Sequence, residues 1–138
     1  MTRYLDSSVI LRIILGARGA LVGFRALEHV ISSALAEVEC LRTLDRLRLV
    51  DDIEAREIAV RRQVVYDVVN RMDIIEITAA VLVRASQPLP VPLKTLDAIH
   101  LGTAMLWREA QQEDVEIATH DEALALAARA IGFHVIGV

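Results

Sequence analysis

A chain of 138 residues that is 54% hydrophobic fills one sizeable core, which excludes a disordered chain and suggests one domain. Its formal charge of −4 counts against a general nucleic-acid-binding module, where a basic excess is the rule, but leaves room for an enzyme that meets RNA through a local patch. A single cysteine, Cys40, excludes an intramolecular disulfide and any multi-cysteine zinc site and reads as a packing residue.

No uninterrupted apolar stretch approaches the ~20 residues that span a bilayer. Asp6 and Arg12 interrupt the opening apolar residues, so no secretory signal and a cytoplasmic location are expected. Lys94 is the only lysine among 15 basic residues. Arginine offers planar contacts to phosphate, but composition bias accounts for the excess more simply.

In chain order, residues 2–6 predict a strand and residues 8–15 a helix ending near Gly16, with a turn from Gly16 to Gly19. Residues 20–28 predict a helix and residues 29–31 a short apolar strand. Ser32 and Ser33 are candidate caps for a helix over 33–48, where Cys40, Leu41, Leu44 and Leu47 share a face. A helix over 52–70 places Ile58, Val65, Val68, Val69 and Met72 in phase; Arg61 and Arg62 lie within or beside that stripe and read as solvated edge positions. Residues 74–77 form either a short strand or an extended linker, and residues 78–86 a helix. Pro88, Pro90 and Pro92 exclude a regular helix between 88 and 92. A helix over 95–110, capped by Thr95, turns Leu96, Ile99, Thr103, Leu106 and Trp107 inward. A strand over 115–119, a helix over 122–131 and a last strand over 134–138 complete the chain. Strands separated by helices predict one α/β domain over 1–138, with an open parallel sheet between helical layers. In such folds ligands bind at the carboxyl ends of the strands, near a topological switch point.

Carboxylates gather at such places. Asp6 ends the first predicted strand in RYLDSSVI, and Asp121 follows a later strand in IATHDEAL. Asp97 lies in the first turn of the helix opened by LKTLDAIHLGTA, bordering apolar residues, where an unpaired charge is costly. Glu37 and Glu39 both occur in SSALAEVECLR, and helical phase does not decide between them. Each residue alone admits a plainer role as a cap or a surface charge. Together they form an all-oxygen set without a His/Cys cluster, suited to Mg²⁺ or Mn²⁺ and to phosphodiester hydrolysis.

YLDSSVI, SSALAEVECLR, LKTLDAIHLGTA and ATHDEALALAARAIGFHVI, in this order and over essentially the whole chain, resemble the PIN-domain ribonucleases, specifically the VapC-type toxins. The resemblance implies an acidic quartet of Asp6, Glu39, Asp97 and Asp121 holding Mg²⁺, with Mn²⁺ as a substitute. It selects Glu39 because the family's glutamate follows a serine, here Ser33, by six residues. It also implies an RNA substrate, a small VapB-type antitoxin and a homodimer. Ser8 and Thr119 match hydroxyl positions of the family and can bond a carboxylate, a metal-bound water or phosphate; their plainer roles are capping and strand pairing. His100, three residues after Asp97, is read as a packing residue, and Arg42 as a partner of Glu39 or of phosphate. The apolar Leu21, Val22 and Phe24 are expected to offer surface to the antitoxin.

Three rival readings compete. A receiver-type regulatory domain needs a second acid near the first strand and a lysine ending a late strand, and a phosphatase with a DxD motif needs an acid at Ser8. The sequence supplies none of these. An RNA-processing PIN nuclease without a toxin role shares the quartet; the short single-domain chain favours the toxin.

Overall fold

The structure, a computed structural model, describes residues 1–16 and 19–138, with the side chain of Leu21 outside the description. Ala17 and Arg18 of the predicted 16–19 turn therefore lie outside the described residues. Five strands appear among the described residues: β1 (Thr2–Leu5), β2 (Val30–Ser33), β3 (Asp73–Ile75), β4 (Val115–Ala118) and β5 (His134–Ile136). The helices are α1 (Ser7–Ile14), α2 (Ala20–Arg25), α3 (Leu35–Asp51), α4 (Ala55–Asn70), α5 (Ala79–Ala85), α6 (Thr95–Gln111) and α7 (Glu122–Ala130).

All strand pairs are parallel, in the order β3-β2-β1-β4-β5. The chain winds outward from β1 to β3, then returns beside β1 to form β4 and β5. The winding direction thus reverses between β1 and β4, where Leu5 pairs with Ala118. This is the switch point at which doubly wound folds open a crevice.

Alternation along the strands sends side chains to two cores. On one face Leu5, Val30 and Ala118 pack with Ile10 and Ile14 of α1, Cys40 and Leu44 of α3, and Val65 and Val68 of α4. On the other, Tyr4, Ile31 and Ile117 pack with Leu101 and Ala104 of α6 and Leu124 and Ala128 of α7. The expected open sheet between helical layers is what forms. Burying each Leu or Ile stabilises the fold by about 1.5–3 kcal/mol. Helix α5 packs outside α6, where Arg84 grips Glu109 through both guanidinium ends at 2.6 and 2.8 Å.

Several local expectations change. Ser32 and Ser33 belong to β2 rather than capping α3 by position; Ser32 donates to the Leu5 carbonyl at 2.7 Å, while Ser33 Oγ still accepts the Leu35 N–H at 3.1 Å. The N-cap of α6 is Lys94, and Thr95 is already helical. Leu96 is exposed, because α6 buries the continuous run Ala98–Ala104 between the sheet and α5 instead of a single stripe. Asp73–Ile75 pairs with β2, so the strand reading of that segment holds. Arg61 is not simply a solvated edge residue. Its Nη1 donates to the Ile14 carbonyl at 2.9 Å, satisfying an acceptor that the end of α1 leaves open. Gly16 fits this junction: its φ is +80°, and a Cβ there would lie 2.9 Å from that guanidinium. No described helix is long and apolar enough to cross a membrane.

Candidate active site

Asp6 stands at the N-cap position of α1, yet its side chain makes no capping bond. Its backbone carbonyl accepts the Val9 and Ile10 N–H groups at 3.1 and 3.3 Å. The carboxylate, in a residue only 3% exposed, accepts instead from two hydroxyls at Oδ2: Ser8 at 2.7 Å and Thr119 at 2.9 Å. Both hydroxyls are fixed in turn. Ser8 Oγ accepts the His120 N–H at 2.9 Å, and Thr119 Oγ1 accepts the Asp121 N–H at 3.0 Å. The capping role weighed for Ser8 gives way to this lattice. Thr119 does both things expected of it, since its backbone N–H also donates to the Ile136 carbonyl at 3.0 Å. The lattice stitches β1, α1 and the β4–α7 turn together across the switch point.

The turn after β4 brings Asp121 to the same end of the sheet. Asp121 caps α7, its Oδ1 accepting the Leu124 N–H at 2.7 Å. Asp97, half-buried, sits in the first turn of α6. Glu39 reaches from α3 to α6, where its Oε1 meets His100 Nε2 at 2.5 Å. The same nitrogen lies 3.7 Å from Asp6 Oδ1, and His100 Nδ1 meets the Tyr4 hydroxyl at 2.7 Å. Among the described residues Glu37 has no such partner, so the geometry separates two glutamates that helical phase leaves equivalent. Arg42 turns to Asp45 at 3.5 Å rather than to Glu39.

The carboxylates feel one another. Asp97 is held above the ordinary aspartate range, first by burial, then by the charges of Asp121 and Asp6, with Glu39 adding and His100 opposing. Burial, then Asp6 and Glu39, pushes the Tyr4 hydroxyl well above its usual range. Burial, then Glu39 and Asp6, pushes the Cys40 thiol up to about 12. That makes Cys40 an inert packing residue, as its neighbours suggest. Asp6, Glu39, Asp97 and Asp121 therefore share one electrostatic neighbourhood at the crevice.

The donor set fits a hard divalent cation, being all oxygen, with Asp6 already oriented by two hydroxyls. It is not a closed cage. Among the described residues no group of three or more His, Cys, Asp or Glu side chains is close enough to hold an ion by itself. Mg²⁺ retains several waters and needs only one or two direct carboxylates, so an open ring of like charges fits a hydrated ion.

A family model described as "PIN domain" matches residues 3–130. The chain belongs to the PIN-domain family. This PIN domain is 34% identical over 139 residues to "Ribonuclease VapC46" of Mycobacterium tuberculosis, covering 96% of this chain and 95% of that protein. Solved structures share its fold. FitAcB from Neisseria gonorrhoeae has a TM-score of 0.69 at 16% identity, covering 98% of this chain and 96% of that one. A toxin–antitoxin complex from Klebsiella pneumoniae has a TM-score of 0.66 at 19% identity, with the same coverage. VapBC2 from Rickettsia felis, bound to a DNA fragment from its promoter, has a TM-score of 0.68 at 11% identity, covering 99% and 98%.

Reading the sequence of this PIN domain alone misses Tyr4 and the hydrogen bonds of His100. The spacing of His100 from Asp97 shows that they are neighbours on one helix, but no local signal shows what faces the imidazole from other elements. The apolar segment before β2 is also revised. Phe24 is a core residue, only 4% exposed; Val22 is exposed, and the side chain of Leu21 lies outside the described residues. Phe24 instead walls a groove of about 330 Å³ between α1, α2 and the β4–β5 side of the sheet, with Val9, Ile13, Leu27 and Ile136 among its lining and Arg3 and Arg12 at its polar margin.

Proposed function

We propose that this PIN domain is a metal-dependent endoribonuclease, the toxin of a VapBC-type pair. What supports the reading is that the charges of Asp121, Asp6 and Glu39 all bear on Asp97 beside the switch point, in a chain that matches a named ribonuclease along nearly its full length. Asp6, Glu39, Asp97 and Asp121 would hold Mg²⁺, with Mn²⁺ as a substitute. The bound cation would neutralise phosphodiester charge and activate water for attack. Ser8 and Thr119 keep Asp6 aimed into the crevice. Burial, followed by the charges of Asp121 and Asp6, raises Asp97 and makes it the carboxylate best suited to take and return a proton.

The partners follow the same reading. A small VapB-type antitoxin would seat apolar side chains in the groove walled by Phe24 and Ile13. It would present an arginine or lysine to the acidic crevice, where charge-assisted hydrogen bonds are roughly twice as strong as neutral ones. Exposed Val38, Leu82, Val83 and Leu96 on α3, α5 and α6 supply apolar surface for a homodimer. The test combines RNA cleavage by purified wild type and Asp6→Asn, with Mg²⁺, with Mn²⁺ and with chelator, and co-expression with the neighbouring reading frame. Metal-dependent cleavage lost in Asp6→Asn is expected, as is an inhibited complex with the neighbour's product. Undiminished cleavage by Asp6→Asn would sink the site. An active protein without a partner would point to an RNA-processing nuclease.

A further inference from the structure

We propose that His100 is the positioning residue of Glu39: Tyr4 holds its imidazole in place, and the ring's Nε2–H aims the carboxylate into the crevice. The inference rests on the reading that Glu39 faces a bound cation.

The geometry leaves the ring few choices. His100 and Tyr4 are 0% and 1% exposed, and each ring nitrogen has a close partner. A carboxylate only accepts, so the 2.5 Å contact with Glu39 Oε1 requires the proton on Nε2. The Tyr4 hydroxyl holds the other ring nitrogen, Nδ1, at 2.7 Å. Tyr4, His100 and Glu39 thus form one hydrogen-bonded chain with every polar atom satisfied. Among the described residues no buried side-chain nitrogen or oxygen lacks a partner.

The chain of bonds joins the elements that carry the site. Tyr4 lies on β1 two residues before Asp6, His100 on α6 three residues after Asp97, and Glu39 on α3. A free glutamate side chain loses rotamer entropy when an ion fixes it. A donor that is itself immobile fixes Glu39 before an ion arrives and leaves Oε2 open. An apolar residue would fill the space at position 100 but would free Glu39.

Glutamine and asparagine separate positioning from packing. His100→Gln puts its amide near the place of Nε2 and keeps a donor to Glu39. His100→Asn reaches only the place of Nδ1 and keeps the Tyr4 side alone. Mn²⁺ affinity is read from the spin-resonance signal of the free ion, without RNA, below the melting temperature of every variant. His100→Gln should stay within about threefold of wild type. His100→Asn and His100→Leu should weaken Mn²⁺ binding about 10–100-fold, the usual cost of losing a residue that orients a ligand. Metal-free ¹H–¹⁵N correlation of the imidazole should show a proton on Nε2. Wild-type affinity in His100→Asn alongside weak binding in Glu39→Gln would overturn the positioning role and spare the site. Wild-type affinity in Glu39→Gln would overturn the ion-site reading and the role of Glu39 with it. An Nε2 without a proton would overturn the positioning bond in either case.

Discussion

Thr119→Val exchanges a hydroxyl for a methyl at nearly constant shape, in a residue that is 0% exposed. It deletes the 2.9 Å bond to Asp6 Oδ2, leaving that carboxylate with the Ser8 hydroxyl alone. A hydrogen bond to a charged group contributes about 1.5–3 kcal/mol. The exchange also strips the acceptor from the part-buried Asp121 N–H, and an orphaned donor costs up to about 1–3 kcal/mol, less where solvent reaches it. Relaxation of the turn recovers part of each, so a net loss of about 2–4 kcal/mol is expected. For a domain of this size each kcal/mol moves Tm by roughly 3–5 °C, which places the melting point about 6–20 °C lower. Thr119→Ser keeps the hydroxyl and should lose about 1 kcal/mol or less, the scale of one buried methyl. Thermal unfolding followed by circular dichroism on the metal-free proteins measures both, and Mn²⁺ titration shows whether the freed Asp6 also binds more weakly. Equal melting points and equal ion affinity for the valine and serine variants would refute the claim that Thr119 holds Asp6.

Asp97→Asn should cut metal-dependent cleavage by about 10²-fold or more while stabilising the metal-free protein at neutral pH. The folded pKa of Asp97 is raised, first by burial, so its ionised form costs stability above that value, and the cost disappears as pH falls below the ordinary aspartate range; melting points of the two proteins should therefore converge in acid, and a gap that widens there contradicts the raised pKa. Glu39→Gln should lower cleavage about 10–100-fold and Glu37→Gln by no more than about twofold, measured at matched stability; the reverse order would place the site two residues away. Arg61→Leu removes the bond to the Ile14 carbonyl and should cost about 1–2 kcal/mol in urea unfolding, a loss that Arg61→Lys should partly restore if the contact matters.

Strands, helices and the places of Asp6 and Asp121 after strands were legible because their signals are local. Val, Ile and Leu runs broken by Gly, Pro and Ser mark the elements of a parallel sheet, and the strand-then-Asp pattern at Asp6 and Asp121 follows from where such sheets bind ligands. The four segments YLDSSVI, SSALAEVECLR, LKTLDAIHLGTA and ATHDEALALAARAIGFHVI carried the family. What the sequence left open depended on side chains far apart in the chain. Glu39 stands apart from Glu37 in the structure because a helix 61 residues later presents His100 to it. Asp6 became an oriented carboxylate rather than a cap because Thr119 reaches it across 113 residues. Arg61 left the solvated edge because the end of α1 needed a donor, and Leu96 left the core because α6 is buried along a run and not a stripe. Hydrophobic periodicity is a one-dimensional signal of burial. The direction of a hydrogen bond between two elements is fixed only when the sheet has closed and α3, α6 and the β4–α7 turn have met at its carboxyl end.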